Sequence, residues 1–397
     1  MRVVHYCQHV LGMGHFFRSL EIDKALKEHE VTLITGGSPL SVTYPEHLQV
    51  VELPPLSMDT EFNAFVTYAD DGTAKPLTAD DLSVIQWQRT TVLMETLQQL
   101  QPDIFLVELF PFGRKQFSFE LMPVLEKAKR AFPQMYTVSS VRDILVEKDK
   151  QQRYEERVIS ILNTHFDGVL VHTDPHVVTL QETFSRTQDI TPPLFNTGYI
   201  TPKPHCKAPE EIRAQYSIPA NQPFILGSIG SGSVHPELMV NLVKASIRLQ
   251  DLIPHTLLVT TGPFMDTASQ QKITALSRTH EHIRVTEFIP NFVDHLSAAD
   301  LSVSMAGYNT TMNLLAVNTF GLVFPFDQNR EQRLRSTHLE KIGAVKILEK
   351  DDIAPTVLCS LLQQYLTQPP PQRTAPVDLG GAENTVRMLE QLLVEHG

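Results

Sequence analysis

Short apolar runs alternate with segments of helical periodicity from one end of this chain to the other, and this alternation constrains its fold more than any other feature. The apolar runs are four to seven residues long and rich in Val, Ile and Phe. Runs that are apolar without strict alternation are typical of strands buried on both faces of a sheet. The repeated strand–helix–strand order therefore predicts an α/β fold with parallel sheets and right-handed crossovers.

The predicted strands form two groups, one in each half of the chain. They are Val3–Cys7, Val31–Thr35, Gln49–Leu53, Ile104–Glu108, Tyr136–Ser139 and Val169–His172, then Phe224–Ile229, Thr256–Thr260, Ile283–Phe288, Leu301–Met305, Leu322–Phe326 and Val345–Leu348. Helical patterns between and after them cover Phe16–Lys27, Val84–Leu100, Pro236–Leu249, Asn309–Leu315, Glu331–Ile342 and Ala382–His396.

The two groups predict two domains, as the length of 397 residues also suggests at roughly 100–200 residues per domain. Residues 198–223 separate the groups, contain five prolines and have no predicted strand, as is typical of a domain boundary. We expect an N-terminal Rossmann-like domain at 1–200, a second domain at 201–378 and a closing amphipathic helix at 379–397. The apolar face of that helix carries Val386, Leu389, Leu392 and Leu393.

Charge and cysteine usage exclude several classes of protein. With 33 Lys and Arg against 45 Asp and Glu, the net charge is −12, which argues against a nucleic-acid partner. Cys7, Cys206 and Cys359 lack C-x-x-C spacing, so neither a disulfide framework nor a zinc site is expected. The chain shows no signal peptide and no apolar run of ~18 residues, which predicts a cytoplasmic protein. Peripheral contact at the inner face of the membrane stays open.

A glycine turn with a histidine follows the first predicted strand. Gly12 and Gly14 there allow close approach of backbone to a ligand, at a helix N-terminus that attracts anions. The third glycine of a dinucleotide-binding motif is missing, so a purely structural turn is the alternative. His15, in the first helical turn, favours a ligand site, where it would act as a base or contact a phosphate.

Two further strand ends carry small residues suited to binding phosphate. Gly227, Ser228, Gly230, Ser231 and Gly232 follow the first strand of the second half and offer several backbone N–H groups. The loop lacks the Lys-Ser/Thr ending of a Walker A motif, and a flexible surface loop is the alternative.

A third glycine turn lies at the predicted strand end near Met305. Gly307 begins a turn into a helix, where Asn309 or Thr310 either contacts a ligand or only caps the helix.

Charged residues of the first half cluster at the ends of its predicted strands. Because such ends share one edge of a parallel sheet, we expect the residues to converge, although each alone fits an ion pair or a cap. They are Glu108, Arg114, Arg142, Asp143, His172 and Asp174. Asp174, before Pro175, is the clearest case of a cap. The segment Met58–Asp80 is expected to be strandless, either a lid or an insertion.

Together these motifs resemble the two-domain GT-B nucleotide-sugar glycosyltransferases. Within them the similarity is to the MurG-like branch of the peptidoglycan N-acetylglucosaminyltransferase, nearly continuous from 288 to 350 and including LEKIGAVKILEK. An uncharacterised bacterial branch of predicted glycosyltransferases is closer still, at GMGHFFRSL, PDIFLVELFPFGR and SMAGYNTTMNLL. The resemblance implies two doubly wound Rossmann-like domains that face each other across a cleft.

The resemblance also implies residue roles for a nucleotide-sugar donor. The loop Gly227–Ser233 would hold the diphosphate together with the helix N-terminus at 307–311. The backbone of Phe288 and Ile289 would read the base, and Glu331 and Gln332 would hold sugar hydroxyls. The family's ribose-binding glutamate is replaced by Asn313, and an asparagine near the donor sugar by Arg335. An amide lacks charge assistance, so a weaker ribose contact is expected.

The implied reaction is sugar transfer, with a UDP-N-acetylhexosamine as the expected donor, to a hydroxyl of a glycan, a lipid-linked or a small-molecule acceptor. His15 is the expected base, oriented by Glu108. The expected acceptor-side residues are Gly12, Gly14, Arg18, Arg114, Arg142 and Asp143. No cofactor or essential metal is expected, since Asp70-Asp71 and Asp351-Asp352 lie in loop or helix-start contexts and no D-x-D pair follows a strand.

Three alternatives use the same fold and loops. A nucleotide-sugar 2-epimerase is one. A nucleotide-sugar hydrolase, whose first loop also reads G-x-G-H-x-x-R, matches GMGHFFR. A non-catalytic nucleotide-sugar binder is the third.

Overall fold

Two parallel sheets organise the chain, each in its own compact unit. Unit 1 contains residues 1–200 and 380–397, and unit 2 contains residues 201–379. The structure, a computed structural model, describes residues 1–10, 14–37, 42–59, 64–68, 73–203, 207–230, 232–326, 330–368 and 370–396. Within these ranges no helix has both the length and the apolarity needed to cross a lipid bilayer.

Unit 1 contains a seven-stranded parallel sheet and a small antiparallel sheet. Its strands are β1 (Arg2–Cys7), β2 (Glu30–Thr35), β3 (Leu48–Glu52), β4 (Ser57–Met58), β5 (Phe65–Tyr68), β6 (Ala74–Pro76), β7 (Ile104–Glu108), β8 (Tyr136–Arg142), β9 (Gly168–His172) and β10 (Leu194–Asn196). The large sheet, sheet 1, has the order β10-β9-β8-β7-β1-β2-β3, and β4, β5 and β6 form the antiparallel one. The helices are α1 (Gly14–Ala25), α2 (Ala79–Leu100), α3 (Ser118–Ala131) and α4 (Gln151–His165).

Unit 2 is built on a six-stranded parallel sheet, sheet 2. Its elements are α5 (Pro209–Gln215), β11 (Phe224–Ser228), α6 (Glu237–Leu249), β12 (Thr256–Thr260), α7 (Thr267–Ser277), β13 (Ile283–Thr286), α8 (Phe292–Ala298), β14 (Leu301–Met305), α9 (Tyr308–Val317), β15 (Gly321–Phe324), α10 (Arg330–Lys341), β16 (Val345–Ile347) and α11 (Pro355–Thr367). The strand order is β13-β12-β11-β14-β15-β16. The chain then returns to unit 1 with α12 (Gly381–His396).

Each sheet reverses its direction of growth once, and this positions the candidate site. Sheet 1 grows from β1 to β3 on one side and from β7 to β10 on the other, so its switch point lies between β1 and β7. Sheet 2 has the same plan, with its switch point between β11 and β14. Ligands of doubly wound sheets bind beyond the carboxyl ends of the strands at such points.

Burial on both faces explains the apolar strand runs. Every residue of β7 is buried. Phe105 and Val107 pack into the core on one face of sheet 1, whereas Ile104 and Leu106 belong to a separate core cluster. That second cluster includes Leu389 and Leu392 of α12, so the terminal helix completes the core of unit 1. Burying a leucine side chain stabilises the fold by about 1.5–3 kcal/mol.

Three expectations about local structure are wrong. The segment Met58–Asp80 is not strandless, because β5 and β6 lie in it; Val66 is buried and the Phe65 ring lies 5.7 Å from that of Phe117. Helix α2 begins at Ala79, where the Thr78 side chain caps it, and not at Val84. Strand β8 continues past Ser139 to Arg142.

One buried ion pair ties two helices of unit 1 to the loops after its strands. Arg89 on α2 donates to both carboxylate oxygens of Glu120 on α3, at 2.8 and 2.7 Å. Its Nη1 also donates to the carbonyls of Gly36 and Pro54, at 2.9 and 2.8 Å. Both side chains of the pair are 0% exposed. Loss of one partner would leave a buried charge without compensation.

Arg89→Met is therefore expected to lower the free energy of unfolding of unit 1 by about 3–5 kcal/mol. Unfolding is followed by circular dichroism in a urea titration, because the single tryptophan, Trp87 on α2, is 68% exposed in the folded state. The control is Arg186→Met, which breaks a partly exposed pair with Asp189 and should cost less than about 1 kcal/mol. Equal losses in the two variants would contradict the assignment.

Candidate functional site

His15 and Glu108 meet at the switch point of sheet 1. Helix α1 follows β1 and carries His15 in its first turn, while Glu108 is the last residue of the neighbouring strand β7. The Nδ1 of His15 lies 2.8 Å from Oε1 of Glu108. Arg18, one turn further along α1, donates to the same oxygen. The Glu108 side chain is 0% exposed and that of His15 is 17% exposed, so the histidine alone remains open to solvent.

Glu108 is ionised in spite of its burial. Burial alone would raise its pKa, but the Arg18 guanidinium and the hydrogen bond to His15 hold the pKa of this carboxyl far below its usual range. An ionised carboxylate only accepts hydrogen bonds. The oxygen facing His15 therefore requires a proton on Nδ1.

His15 is correspondingly neutral. Burial lowers its pKa to about 3, and the Arg114 and Arg18 guanidiniums add to this against the opposing hydrogen bond to Glu108. A neutral imidazole carries one N–H. With that proton on Nδ1, the lone pair is on Nε2. The pair thus presents an unprotonated nitrogen whose ring is oriented by a carboxylate.

The buried oxygen of Glu108 is held by residues of the next strands. Ser140 on β8 lies 2.9 Å through its Oγ from Oε2 of Glu108 and 2.8 Å from Nε2 of His172 on β9. The Nδ1 of His172 lies 2.8 Å from Oγ1 of Thr197. Glu108, Ser140, His172 and Thr197 are all 0% exposed.

The other acceptor-side candidates are placed unequally. Arg114 lies within electrostatic reach of Glu108 and Arg142, and burial lowers its pKa. Arg142 pairs in register with His172. The Asp143 carboxylate accepts from the N–H of Ile144 at 2.8 Å.

Two more of these residues have backbone roles, and one is not described. Asp174 accepts from the N–H of His176 at 2.9 Å in a turn. No helix begins there, so the predicted helix cap is wrong. Gly14 is the first residue of α1, and Gly12 lies outside the described residues.

In unit 2, the glycines after β11 have two kinds of surroundings. Two of them pack closely against other atoms, and one has open space beside it. A Cβ on Gly227 would lie 2.5 Å from Leu242 of α6, so this glycine allows strand and helix to pack closely. A Cβ on Gly232 would lie 2.3 Å from the Thr261 carbonyl. By contrast, a Cβ on Gly230, at φ +66°, would meet no atom within 4 Å. Ser228 is buried at the end of β11, and Ser231 lies outside the described residues.

Across the switch point from that loop, Gly307 caps α9 with its backbone. Its φ of −63° and ψ of 151° are extended, and no side chain caps the helix. Asn309 and Thr310 lie inside the first turn of α9 and not at its N-cap. A Cβ on Gly307 would meet no atom of the described residues within 4 Å. The N-cap residue therefore offers no side chain to the N–H groups that begin α9.

The residues expected to contact base and sugar follow other strand ends of sheet 2. The Phe288 ring is 70% exposed beside a cavity of about 140 Å³, and Ile289 is buried. The Phe288 carbonyl accepts from the Thr286 hydroxyl at 3.1 Å. Gln332 accepts from the N–H of Phe326 at 3.1 Å, which occupies its amide oxygen.

Three other positions of this set lie on α9 and α10. Glu331 is buried, and Asn313 is half-buried on α9. Arg335 is fully buried, with its guanidinium carbon 4.9 Å from the centre of the Tyr308 ring. Arg335 therefore packs α10 against α9, a role that its position in the sequence did not reveal.

The second half of the chain matches a known domain family over residues 228–385. The matching family is the glycosyltransferase family 28 C-terminal domain. The matched residues include the strand ends at Ser228, Met305 and Phe324.

Curated relatives agree over a shorter stretch. One is the UDP-N-acetylglucosamine–N-acetylmuramyl-(pentapeptide) pyrophosphoryl-undecaprenol N-acetylglucosamine transferase of Haemophilus influenzae, 31% identical over 86 residues, which are 21% of this chain and 24% of that protein. The enzyme of the same name from Mannheimia succiniciproducens is 32% identical over 99 residues, 24% of this chain and 28% of that protein. The matches thus span about a quarter of these relatives' length.

Solved structures resemble the whole chain. MurG of Acinetobacter baumannii covers 100% of it, with a TM-score of 0.55 and 16% identity, and 99% of MurG is matched. The UDP-GlcNAc 2-epimerase of Methanocaldococcus jannaschii covers 98%, with a TM-score of 0.60 and 10% identity, and 100% of that chain is matched. At such identities the likeness concerns the fold. The predicted GT-B class with two doubly wound Rossmann-like domains is confirmed, as is the MurG-like resemblance.

The buried His172 predicts acid sensitivity of unit 1. Burial lowers its pKa from 6.5 to about 3, so the folded state binds fewer protons than the unfolded state between these values. Stability therefore falls as the pH drops below 6.5, by about 1.4 kcal/mol per pH unit from this one residue. His172→Gln should flatten the decline between pH 6.5 and 4.5, measured by circular dichroism in urea. Parallel declines in variant and wild type would show that His172 is protonated in the folded state.

Proposed function

We propose that this protein transfers a sugar from a nucleotide-diphosphate donor to a hydroxyl acceptor. The observation that carries the proposal is the His15–Glu108 pair at the switch point of one sheet, in a chain whose second half matches the family 28 C-terminal domain. The Haemophilus influenzae relative is named for transfer of N-acetylglucosamine from its UDP derivative, which supports a UDP-N-acetylhexosamine as the donor. The proposed acceptor is a hydroxyl group of a glycan, a lipid-linked compound or a small molecule.

In the proposed reaction, His15 is the general base. Its Nε2 takes the proton of the acceptor hydroxyl while that oxygen bonds to the anomeric carbon of the sugar. The bond from that carbon to the diphosphate breaks, and the diphosphate leaves with the electron pair. Glu108 accepts from Nδ1 throughout and stabilises the imidazolium that forms. The low pKa of His15 keeps the base unprotonated at neutral pH.

The diphosphate is assigned to unit 2, at the edge of sheet 2 that holds Gly230 and Gly307. At both positions a Cβ would meet no atom of the described residues within 4 Å, and the N-cap residue of α9 is a glycine without a side chain. Helix N-termini and backbone amides stabilise anionic leaving groups without a metal ion. The exposed Phe288 ring supports base stacking nearby. We therefore propose metal-independent transfer, which treatment with EDTA should leave unchanged.

His15→Ala is expected to lower turnover by a factor of about 10² to 10⁴, because the reaction loses its base. Donor affinity should stay within a few-fold of wild type, measured with UDP by calorimetry, since the assigned donor contacts lie in the other unit. The control is His176→Ala, which removes a histidine of unit 1 whose side chain is 86% exposed.

Other outcomes for His15→Ala have distinct meanings. A collapse of UDP affinity with an unchanged rate on bound donor would make His15 a phosphate ligand. No change in either quantity would overturn the assignment and move the base to Glu108 or Asp143.

Gly307→Val is expected to weaken UDP binding at least about 100-fold without lowering the melting temperature. Its extended backbone suits any residue, and the added side chain enters the space assigned to the diphosphate. Gly230→Val should also abolish binding, but its positive φ adds strain. Ala354→Val is the matched control, because Ala354 also begins a helix, α11, with similar angles of −60° and 136° and no side-chain cap. Equal UDP affinity in the Gly307 and Ala354 variants would contradict the diphosphate assignment.

A hydrolase is the second candidate, favoured by the G-x-G-H-x-x-R match and by a base that would activate water equally well. Incubation with a panel of nucleotide sugars, without acceptor, separates the two activities. Rapid stoichiometric release of free sugar would identify a hydrolase, and epimerised nucleotide sugar a 2-epimerase. Tight binding with no product under any acceptor would identify a non-catalytic binder.

A further inference from the structure

The hydrogen bonds behind Glu108 form a continuous chain across sheet 1. The chain runs from Glu108 on β7 to Ser140 on β8, then to His172 on β9 and to Thr197 after β10. Its three links measure 2.9, 2.8 and 2.8 Å. Every member is buried, so the protons of these groups are placed by protein partners.

The chemistry of the groups fixes the direction of this chain. Because the carboxylate of Glu108 only accepts, the hydroxyl of Ser140 donates to it. The Ser140 oxygen then accepts from Nε2–H of His172. A neutral His172 then has its lone pair on Nδ1, which accepts from the Thr197 hydroxyl in preference to the Gly198 carbonyl, 2.9 Å from the same hydroxyl. The opposite direction would take the Ser140 hydrogen away from Glu108 and leave that buried oxygen without a donor.

We propose that Ser140 and His172 are positioning residues that hold the Glu108 carboxylate in the orientation that sets the tautomer of His15. With Oε2 held by Ser140, Oε1 faces His15 and Arg18. That geometry keeps the His15 proton on Nδ1 and leaves Nε2 free. The inference concerns the same site as the proposed function and gives that function two further residues.

The charged groups around this hydrogen-bond chain affect the pKa values of two histidines, His15 and His172. The groups that face His172 are Arg18, Glu108 and His5, and those that face His15 are Arg18, Arg114 and Glu108. Loss of the Ser140 hydrogen bond makes the carboxylate more basic. A more basic carboxylate stabilises the His15 imidazolium better, so the pKa of His15 should rise.

The test is NMR of the full chain labelled with ¹⁵N-histidine, which reports tautomer and pKa without substrate. The His15 signal is assigned by its loss in His15→Ala. In the wild type we expect the Nδ1–H tautomer. Ser140→Ala should move the onset of His15 protonation upward by about one pH unit, read within the pH range in which the spectrum is that of the folded protein. His172→Leu should produce a smaller rise, because Ser140 keeps its proton but loses its donor.

Two variants serve as controls for this series. Ser139→Ala removes an equally buried hydroxyl of the same strand, which donates instead to the carbonyl of Phe110 at 2.8 Å. It should leave His15 unchanged. His172→Gln keeps a donor near the Nε2 position and should also give the wild-type value.

A His15 pKa and tautomer that are the same in Ser140→Ala and Ser139→Ala would overturn the proposal. Should Ser140→Ala fail to fold, His172→Leu against His172→Gln decides, and equal values there would also overturn it. In a turnover assay, Ser140→Ala should lower kcat about tenfold or more at unchanged donor KM and shift the acid limb of the pH profile upward. If wild type shows no turnover, the proposed function fails while the NMR series still tests the positioning.

Discussion

The ionised carboxylate of Glu108, buried at the centre of sheet 1, is the constraint on which the candidate site depends. A carboxylate with no exposure is costly unless every lone pair finds a donor and a cation lies nearby. Arg18 supplies the cation, while His15 and Ser140 supply the remaining hydrogen bonds. The three come from α1 and β8, so the charge can exist only where both meet the end of β7. The doubly wound topology brings them together, and the carboxylate fixes their protons.

The two units share one topology but use their switch points differently. In unit 1 the crevice between β1 and β7 is lined by ionised and imidazole groups, which suit proton transfer. In unit 2 the corresponding place between β11 and β14 has Gly230 and Gly307, with backbone N–H groups and room for a ligand. Such a place suits an anion that must be held without a side-chain charge. Topology supplies the location in both units, and local residues supply the chemistry.

The sequence predicts features that depend on neighbouring residues better than contacts between residues that are far apart in the chain. Strands such as β7 and β14 were predicted with their bounds because burial on both faces leaves an unbroken apolar run. His15 and Glu108 were paired because both follow parallel strands, whose ends share an edge. Ser140 was missed because a serine inside a strand gives no local signal, and its partner is 32 residues away in each direction. The stacking of Arg335 on Tyr308 is equally non-local.

The same electrostatics that keep His15 neutral make the site expensive to fold. Burial and nearby guanidiniums favour the neutral imidazoles of His15 and His172, so both resist protonation that the unfolded chain accepts freely. The cost appears as acid sensitivity and brings no packing advantage over apolar residues of similar volume. A chain that needed only a stable α/β sheet would place apolar side chains between β7, β8 and β9. Instead, a buried and hydrogen-bonded chain of polar side chains lies behind His15, whose side chain is partly exposed. A catalytic function of His15 therefore best explains these polar residues.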